Sequence, residues 1–373
     1  MLRKTVCLTL WIGMTSLAQA APSYSVNVLG MADDYANLTL GAAGQIVADF
    51  SLLDPVAGAW IHRSVLFANG SQTALSGPDG GSFHAVSIAD NGAVFGNVGA
   101  HIGGSKPAVW HDGVASYIDL PAGADSGWIT GGNAFGDAVG FVTSGSGDRV
   151  EVLWGRDGSV TTLDSGGQYA WFHAYGVSDS GVVIGHGATM ADEDDDGFYD
   201  DERILSWSEG SFHDLGPRLN DIDPRRINAA GQVIGIGVAN EDGSLTAGFR
   251  IDADGSVHML SAPGAESAAV EDINEAGWSV GSGWKNGEQS FAVLWRDGDG
   301  VDLNDLIDPA SGLTVIDARA INDADQIAAL AVDADGATRV VLLTPVPEPH
   351  AWALLLGGAL VLFRRVRRQV GAA

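Results

Sequence analysis

The chain has 373 residues, 46% of them hydrophobic, and a formal net charge of −28. That charge disfavours nucleic acid and anionic membrane surfaces as partners, and the hydrophobic content excludes a disordered acidic tail. The only cysteine, Cys7, lies within the first 20 residues, so no disulfide and no cysteine-bound metal can hold the rest of the chain together. Its fold must therefore depend on a hydrophobic core.

The first 20 residues have the pattern of a secretory signal peptide. Arg3 and Lys4 precede an apolar stretch over residues 6–17, and Ala18-Gln19-Ala20 follows as a cleavage site of small residues. We expect residues 1–20 to be removed. The mature protein is then exported, to the cell surface or the extracellular space.

The long middle of the chain is a sequence repeat. Its signature is Ile/Val-Asn/Ser-x-x-Gly-x-Val-x-Gly, as in RINAAGQVIG at 226–235. The central positions, 44 to 50 residues apart, are Gly44, Gly92, Gly136, Gly181, Gly231, Gly277 and Asp325. Such a period is typical of architectures in which each unit is one supersecondary element stacked on its neighbours.

Each unit is expected to contain about four short strands. Runs of β-branched and aromatic residues alternate with Asn-Gly, Asp-Gly or Ser-Gly pairs, which favour hairpin turns. Seven such units of about 46 residues predict an all-β fold, a seven-bladed β-propeller over residues 22–344. YSVNVLG at 24–30 resembles YIDLPAG at 117–123, so we expect the N-terminal strand to complete the last blade. An open β-solenoid or two stacked sandwiches are the alternatives.

An acidic insertion in the fourth unit, ADEDDDGFYDDE at 191–202, has the spacing of a calcium loop. Carboxylates at alternate positions, followed by a glycine, can wrap one calcium ion with oxygen ligands. The predicted ligands are Asp192, Asp194, Asp196, the backbone carbonyl of Phe198, and Asp200. We expect the calcium to be structural; a solvated acidic loop is the alternative.

Three further features bear on chemistry. Gly277-Trp278-Ser279-Val280-Gly281 matches the G-x-S-x-G motif of serine hydrolases, but the same positions are repeat positions in other units, which argues against a nucleophile.

Six residues before the central position, successive units carry Arg225, Glu271 and Arg319, which predict either ion pairs between blades or a polar binding rim. Tryptophans outside the repeat pattern fill gaps between blades or bind a ligand; these are Trp60, Trp128, Trp171, Trp278 and Trp284.

The last segment, residues 345–373, has three parts. Pro347-Glu348-Pro349 is followed by an apolar stretch over 351–363 and then by basic residues, namely Arg364, Arg365, Arg367 and Arg368. Thirteen residues of helix span about 20 Å, less than the roughly 30 Å of a bilayer core. We therefore expect a short transmembrane helix that serves as a sorting signal, with transient or retained membrane contact.

These residues resemble two known families. The repeats, with VDLNDLIDPASG at 301–312 before the last unit, are similar to the HAF family of bacterial extracellular repeats. The segment from Pro347 resembles a PEP-CTERM sorting tail, which implies an exosortase-type processing enzyme as a partner. The seventh unit departs from the repeat, with Asp325 and Ala329 in place of its two glycines.

The expected role is that of an exported surface or matrix-associated propeller that binds an exopolysaccharide, another glycan or a surface protein, without catalysis. The alternative is a secreted propeller hydrolase or lyase acting on exopolysaccharide, with catalytic groups near the central channel. A purely structural matrix component is the third possibility. Nucleic acid is not an expected partner.

Overall fold

A computed structural model describes residues 23–33, 36–53, 60–99, 104–189, 202–216, 222–238, 246–285 and 289–346. The predicted signal peptide, the predicted calcium loop and the tail beyond Val346 lie outside these residues. Apart from two short 3-10 turns, Leu303–Leu306 and Pro309–Ser311, all regular structure in the described chain is β-strand. This part of the chain contains no helix with the length and apolarity of a membrane span.

The strands follow the predicted repeat closely. The first fourteen are β1 (Ser23–Met31), β2 (Asn37–Leu40), β3 (Ile46–Leu53), β4 (Trp60–Ala68), β5 (Ser71–Ala74), β6 (Phe83–Ile88), β7 (Val94–Val98), β8 (Lys106–His111), β9 (Val114–Tyr117), β10 (Ser126–Gly132), β11 (Ala138–Thr143), β12 (Arg149–Trp154), β13 (Val160–Thr162) and β14 (Tyr169–Val177). The remaining strands of the described chain are β15 (Val183–Thr189), β16 (Glu202–Ser208), β17 (Ser211–Asp214), β18 (Asp223–Ile227), β19 (Val233–Val238), β20 (Thr246–Ile251), β21 (Val257–Leu260), β22 (Ser267–Ile273), β23 (Ser279–Lys285), β24 (Gln289–Arg296), β25 (Asp299–Asp302), β26 (Thr314–Ile321), β27 (Ile327–Val332) and β28 (Thr338–Val346).

These strands form seven four-stranded antiparallel sheets, the blades of a propeller. Blades 1 to 6 are β2–β5, β6–β9, β10–β13, β14–β17, β18–β21 and β22–β25, and blade 7 is β26, β27, β28 and β1. The first strand of each unit packs beside the first strand of the next, and β26 of blade 7 packs beside β2 of blade 1. These seven inner strands therefore surround a central channel, and the predicted seven-bladed β-propeller is confirmed.

The N-terminal strand closes the ring. β1 pairs with β28 at the outer edge of blade 7, and Ser25 Oγ donates a hydrogen bond of 3.2 Å to the carbonyl of Thr344. Tyr24, only 3% exposed, packs with Leu303 and Ile307 in a hydrophobic cluster. The predicted closure is confirmed, and the open solenoid and the stacked sandwiches are wrong.

The two glycines of the repeat have different physical roles. At Gly181, φ is 84° and the space around an added Cβ is open, so the turn alone requires glycine. At Gly185, an added Cβ would lie 1.9 Å from the carbonyl oxygen of His173, so the close approach of β14 and β15 requires it. In blade 7, Asp325 occupies the turn with a φ of 56°, a conformation that aspartate tolerates. The departure of the seventh unit therefore leaves its blade intact.

Asparagine side chains in the repeat turns of blades 3, 5, 6 and 7 join each of these blades to the next one. Asn322 Oδ1 accepts hydrogen bonds from the backbone N–H groups of Ala324 and Gln326, and its Nδ2 donates to the carbonyl of Gly41 at 3.0 Å. Asn133 Nδ2 likewise donates to the carbonyl of Ser178, and Asn228 Nδ2 to that of Asn274. One side chain thus fixes a turn and links two blades.

The inner strands share a β-bulge six residues before the central position of the repeat. The pairing between the first two strands shifts there in blades 2 to 7, and the extra residues are Val86, Thr130, Tyr175, Arg225, Glu271 and Arg319. A bulged residue is left out of the ladder and its side chain is re-aimed. The three charged residues that the sequence singled out are therefore bulge residues.

Antiparallel pairing gives the ring two different faces. The turn face carries the connections between first and second strands and between third and fourth strands, such as Asn228–Gln232. The loop face carries the other connections, such as residues 144–148 and the segment with the two 3-10 turns. The connections of the ring that are only partly described all belong to the loop face.

Candidate functional site

Blades 5 to 7 carry a chain of opposite charges on their inner strands. Arg225 Nη1 lies 3.8 Å from Glu271 Oε2, and Arg319 Nη1 lies 3.9 Å from Glu271 Oε1. Asp223 pairs with Arg225 at 3.2 Å, and Asp317 pairs with Arg319 at 2.8 Å. Burial raises the pKa of Asp317 to about 6. The structure thus joins the three predicted residues as ion pairs between blades, and a binding rim made of them stays a prediction.

Blades 2 to 4 carry aromatic rings in the equivalent region. His84 of β6 stacks on Trp128 of β10 with ring centroids 5.3 Å apart. Trp171 and His173 of β14 lie 4.9 Å apart, and His186 of β15 lies 5.0 Å from Trp171, edge to face. One side of the inner wall is therefore aromatic, whereas the opposite side is ionic.

A cleft of about 560 Å³ opens on the loop face between blades 3 and 4. It is formed by the start of β12, the connection from β13 to β14, and the start of β14. The side chains that bring chemistry to it are Arg149, Glu151, Asp164, Tyr169, Trp171 and His173. Its volume lies within the range typical of small-molecule sites.

Glu151 is the buried carboxylate of this cleft. Its Oε1 accepts a hydrogen bond of 2.6 Å from Arg149 Nε, and its Oε2 accepts one of 3.2 Å from the backbone N–H of Ala174. Burial raises the pKa of Glu151 to about 6, against the opposing effect of Arg149. Burial, with a contribution from the charge of Arg149, lowers the pKa of His173 to about 4. At neutral pH the cleft therefore holds an ion pair beside an uncharged imidazole.

Glu151 also has a structural role that recurs in other blades. Asn97 Oδ1 accepts from the backbone N–H of Ile129 in the next blade at 2.7 Å, and Asp49 Oδ1 accepts from that of Ala85 at 3.3 Å. These N–H groups belong to inner strands, which are edge strands and need partners outside their own sheet. Glu151 therefore joins blades 3 and 4 as well as lining the cleft.

Two serines that suggest hydrolase chemistry are buried. Ser64 is 0% exposed and hydrogen-bonds to Asp49, whose other oxygen lies 2.6 Å from His84 Nδ1. A Ser-His-Asp triad instead places the imidazole between serine and aspartate. Ser279 of the G-x-S-x-G motif is 1% exposed and begins strand β23 after a repeat turn, without a following helix in the described chain. Neither serine has the geometry of a nucleophile.

The turn face has an acidic mouth around the channel. Asp90, Asp179, Glu275 and Asp323, each two residues before the central position of its repeat, line a cavity of about 160 Å³. Burial and the like charges of Asp90 and Asp323 raise the pKa of Asp179. Within the described residues, no three histidine, cysteine, aspartate or glutamate side chains are grouped as a metal site.

The remaining predicted site residues lie outside the described chain. They are the calcium ligands Asp192, Asp194, Asp196, Phe198 and Asp200 and the sorting residues Pro347, Glu348, Pro349, Arg364, Arg365, Arg367 and Arg368. Both assignments stay predictions.

Sequence reasoning missed Arg149 and Glu151, although it named Trp171. A signal existed, because Glu151 stands three residues before the repeat tryptophan Trp154, where other units have Pro107, Ile204 or Ala292. A carboxylate in a position that is uncharged in the other units marks a place where the repeat has acquired another role.

No protein-family model matches the chain, and no curated protein matches it in sequence. Among solved structures, it is similar to the β-propeller domain of the trilobed protease from Pyrococcus furiosus, with 9% identity and a TM-score of 0.55 over 84% of this chain and 96% of that one. That domain is described as having an open velcro topology, whereas β1 closes the ring here.

Two larger proteins contain a similar region. Acylaminoacyl peptidase of Pyrococcus horikoshii matches with 10% identity and a TM-score of 0.55, over 86% of this chain and 54% of that one. The puromycin-hydrolyzing peptidase of Mycobacterium tuberculosis matches with 10% identity and a TM-score of 0.51, over 86% of this chain and 55% of that one. The chain spans about half the length of these two peptidases. At such identities the likeness shows the β-propeller fold alone.

Proposed function

We propose that the protein is an exported, non-catalytic propeller of the cell surface or extracellular matrix that binds a glycan through its loop face. The observation that carries this proposal is the cleft between blades 3 and 4, where Trp171 and Tyr169 stand beside the Arg149–Glu151 pair. Aromatic rings beside a few fixed polar groups are the usual composition of a small-molecule site.

Export and sorting complete the proposal and rest on the sequence. The signal peptide over residues 1–20 starts export, and the tail with Pro347-Glu348-Pro349 directs the propeller to its destination through an exosortase-type enzyme. Calcium at the loop 192–200 would stabilise one connection of the loop face. Chelation tests the calcium site. Because a bound structural ion raises the melting temperature, we expect a chelator to lower it, and an unchanged melting temperature contradicts the calcium site.

A glycan array tests the binding function directly. The protein is applied with and without calcium, next to a Trp171→Ala variant of the same chain. We expect binding to one glycan class and its loss in the variant. Absence of binding to every sugar on the array contradicts the proposal.

One observation favours a second candidate, a hydrolase or lyase acting on exopolysaccharide. The pKa of Glu151, raised by burial to about 6, is close to that of a general acid at neutral pH. Such an enzyme releases new reducing ends or unsaturated sugars from exopolysaccharide, and Glu151→Gln abolishes this release. A binding protein produces neither product.

A further inference from the structure

The geometry of the cleft between blades 3 and 4 points to its ligand: we propose that it binds an uncharged sugar ring, stacked on Trp171 with its hydroxyl groups on Arg149 and Glu151. This inference rests on the proposed glycan-binding function. It adds the charge class of the glycan and the residues that contact it.

Trp171 supplies the flat surface for the ring. It is half-buried and lines the cleft, while His173 and His186 pack against its indole at 4.9 and 5.0 Å. Nearby, Tyr169 is held edge to face against Phe212 at 5.6 Å. Because neighbouring side chains hold both rings in place, ligand binding costs little side-chain conformational entropy. The C–H face of a pyranose is apolar and complements such an aromatic surface.

Arg149 and Glu151 supply the polar contacts. Arg149 uses its Nε on Glu151 and lies over the ring of Phe141 at 3.8 Å, with its side chain 36% exposed. Glu151 is fixed by Arg149 and by the backbone N–H of Ala174. A guanidinium has five N–H donors and a carboxylate about four acceptor positions, so both retain capacity beyond these bonds. Sugar hydroxyls donate and accept, which matches an adjacent donor and acceptor.

The charges of the cleft exclude an acidic sugar. Its ionised lining groups are Arg149, Glu151 and the exposed Asp164, while His173 is uncharged at neutral pH. Among the described lining residues, the one cation is Arg149, and it is already paired with Glu151 at 2.6 Å. A uronate in the cleft would therefore meet two carboxylates, on a chain whose net charge is −28. An uncharged ring avoids this repulsion.

Calorimetric titration of the full chain tests the inference. The protein is kept in a detergent without a sugar head group, because a glycoside detergent would compete for the cleft. The uncharged probes are cellohexaose, mannohexaose and laminarihexaose, and the acidic probe is hexagalacturonate. We expect one or more uncharged probes to bind and hexagalacturonate to bind at least tenfold more weakly.

Three variants assign this binding to the cleft. Trp171→Ala is expected to weaken the uncharged probe at least tenfold, whereas Trp284→Ala, at another half-buried loop-face tryptophan, changes it less than twofold. Asp164→Lys, at an exposed position of the cleft, is expected to strengthen hexagalacturonate more than it changes the uncharged probe. This third variant keeps the test valid even if Trp171→Ala fails to fold.

The outcomes separate this inference from the proposed function. If hexagalacturonate binds as tightly as the uncharged probes, the inference that the glycan is uncharged is wrong, but the proposed glycan-binding function is still supported. Uncharged binding that survives Trp171→Ala, or an Asp164→Lys variant indifferent to hexagalacturonate, overturns the assignment to this cleft. Failure of every sugar to bind overturns the proposed function together with this inference.

Discussion

The turn face and the loop face of the ring are built from the same seven units, yet they differ in regularity. On the turn face, Asn133, Asn228 and Asn322 make the same bonds within their turns and to the next blade. On the loop face, connections range from the short turn at residues 144–148 to the segment with two 3-10 turns. The repeat signature therefore preserves the contacts that hold the ring together. The loop-face connections vary in length and structure, and they can form a binding site.

The largest effect is expected where the repeat brings two strands together. Gly185→Ala places a Cβ 1.9 Å from the carbonyl oxygen of His173, and this backbone atom cannot move without disturbing β14. We expect a loss of about 3 kcal/mol or more in the free energy of unfolding, measured by denaturant titration.

The other glycine of the same unit is the control. Gly181→Ala meets no neighbouring atom within 4 Å and suffers only from the positive φ of 84°, so we expect a loss of about 1 kcal/mol. Equal losses in the two variants would show that turn conformation, and not strand approach, sets the requirement for glycine.

The next effect concerns the asparagine links of the turn face. Asn322→Ala removes a 7% exposed side chain that bonds its own turn and the carbonyl of Gly41, so we expect a loss of about 2 kcal/mol in chemical unfolding. Asn91→Ala is the control, because the side chain of this exposed asparagine accepts a hydrogen bond from the backbone N–H of Ala93 within its own turn. A cost at Asn91 as large as at Asn322 contradicts the stabilising role of the link between blades.

Two carboxylates make stability depend on pH: Asp272 in the cavity of the turn face and Glu151 in the cleft of the loop face. Burial raises the pKa of Asp272 from 3.8 to about 6, and the folded state therefore holds this proton more tightly than the unfolded state. The stabilisation that Asp272 contributes is complete below about pH 4 and is lost as the pH rises through 6. Asp272→Asn should reduce the fall in stability between pH 5 and 7.5 by about 1 kcal/mol, measured by melting at each pH.

Glu151→Gln on the loop face is the matching variant, because the pKa of Glu151 is also raised to about 6. We expect a similar change in the pH dependence of stability, but only Glu151→Gln should weaken sugar binding. A binding defect in Asp272→Asn would indicate that the turn-face cavity and the loop-face cleft are coupled.

The smallest effect is expected at the exposed rim of the cleft. Within the part of the chain that the structure describes, the exposed side chain of Asp164 accepts only the bond from the backbone N–H of Gly166 in its own connection. Asp164→Ala should therefore change the free energy of unfolding by less than about 0.5 kcal/mol. A loss above 1 kcal/mol would show that the loop face also maintains the ring.

The sequence predicts the ring better than the site for a physical reason. Blade number and closure follow from features repeated seven times, so that even Asp325 in the last unit does not obscure them. The cleft depends on side chains that occur once, brought together from β12 and β14 across a blade boundary. Nothing in the local pattern around Glu151 indicates that its carboxylate reaches the N–H of Ala174. In the sequence, Glu151 is marked only as a carboxylate at a repeat position that is uncharged in the other units.

The pairing of β1 with β28 has a consequence for biosynthesis. β1 is the first strand of the ring to be synthesised and its partner β28 is the last, since Ser25 and Thr344 are 319 residues apart in sequence. β1 therefore cannot pair until β28 is available. Contacts at such separation form late in folding. A chain that stops before Thr338 has no partner for β1 and leaves β27 as an open sheet edge, which favours aggregation. Closure of the ring at blade 7 therefore requires that β28, its last strand, has been synthesised.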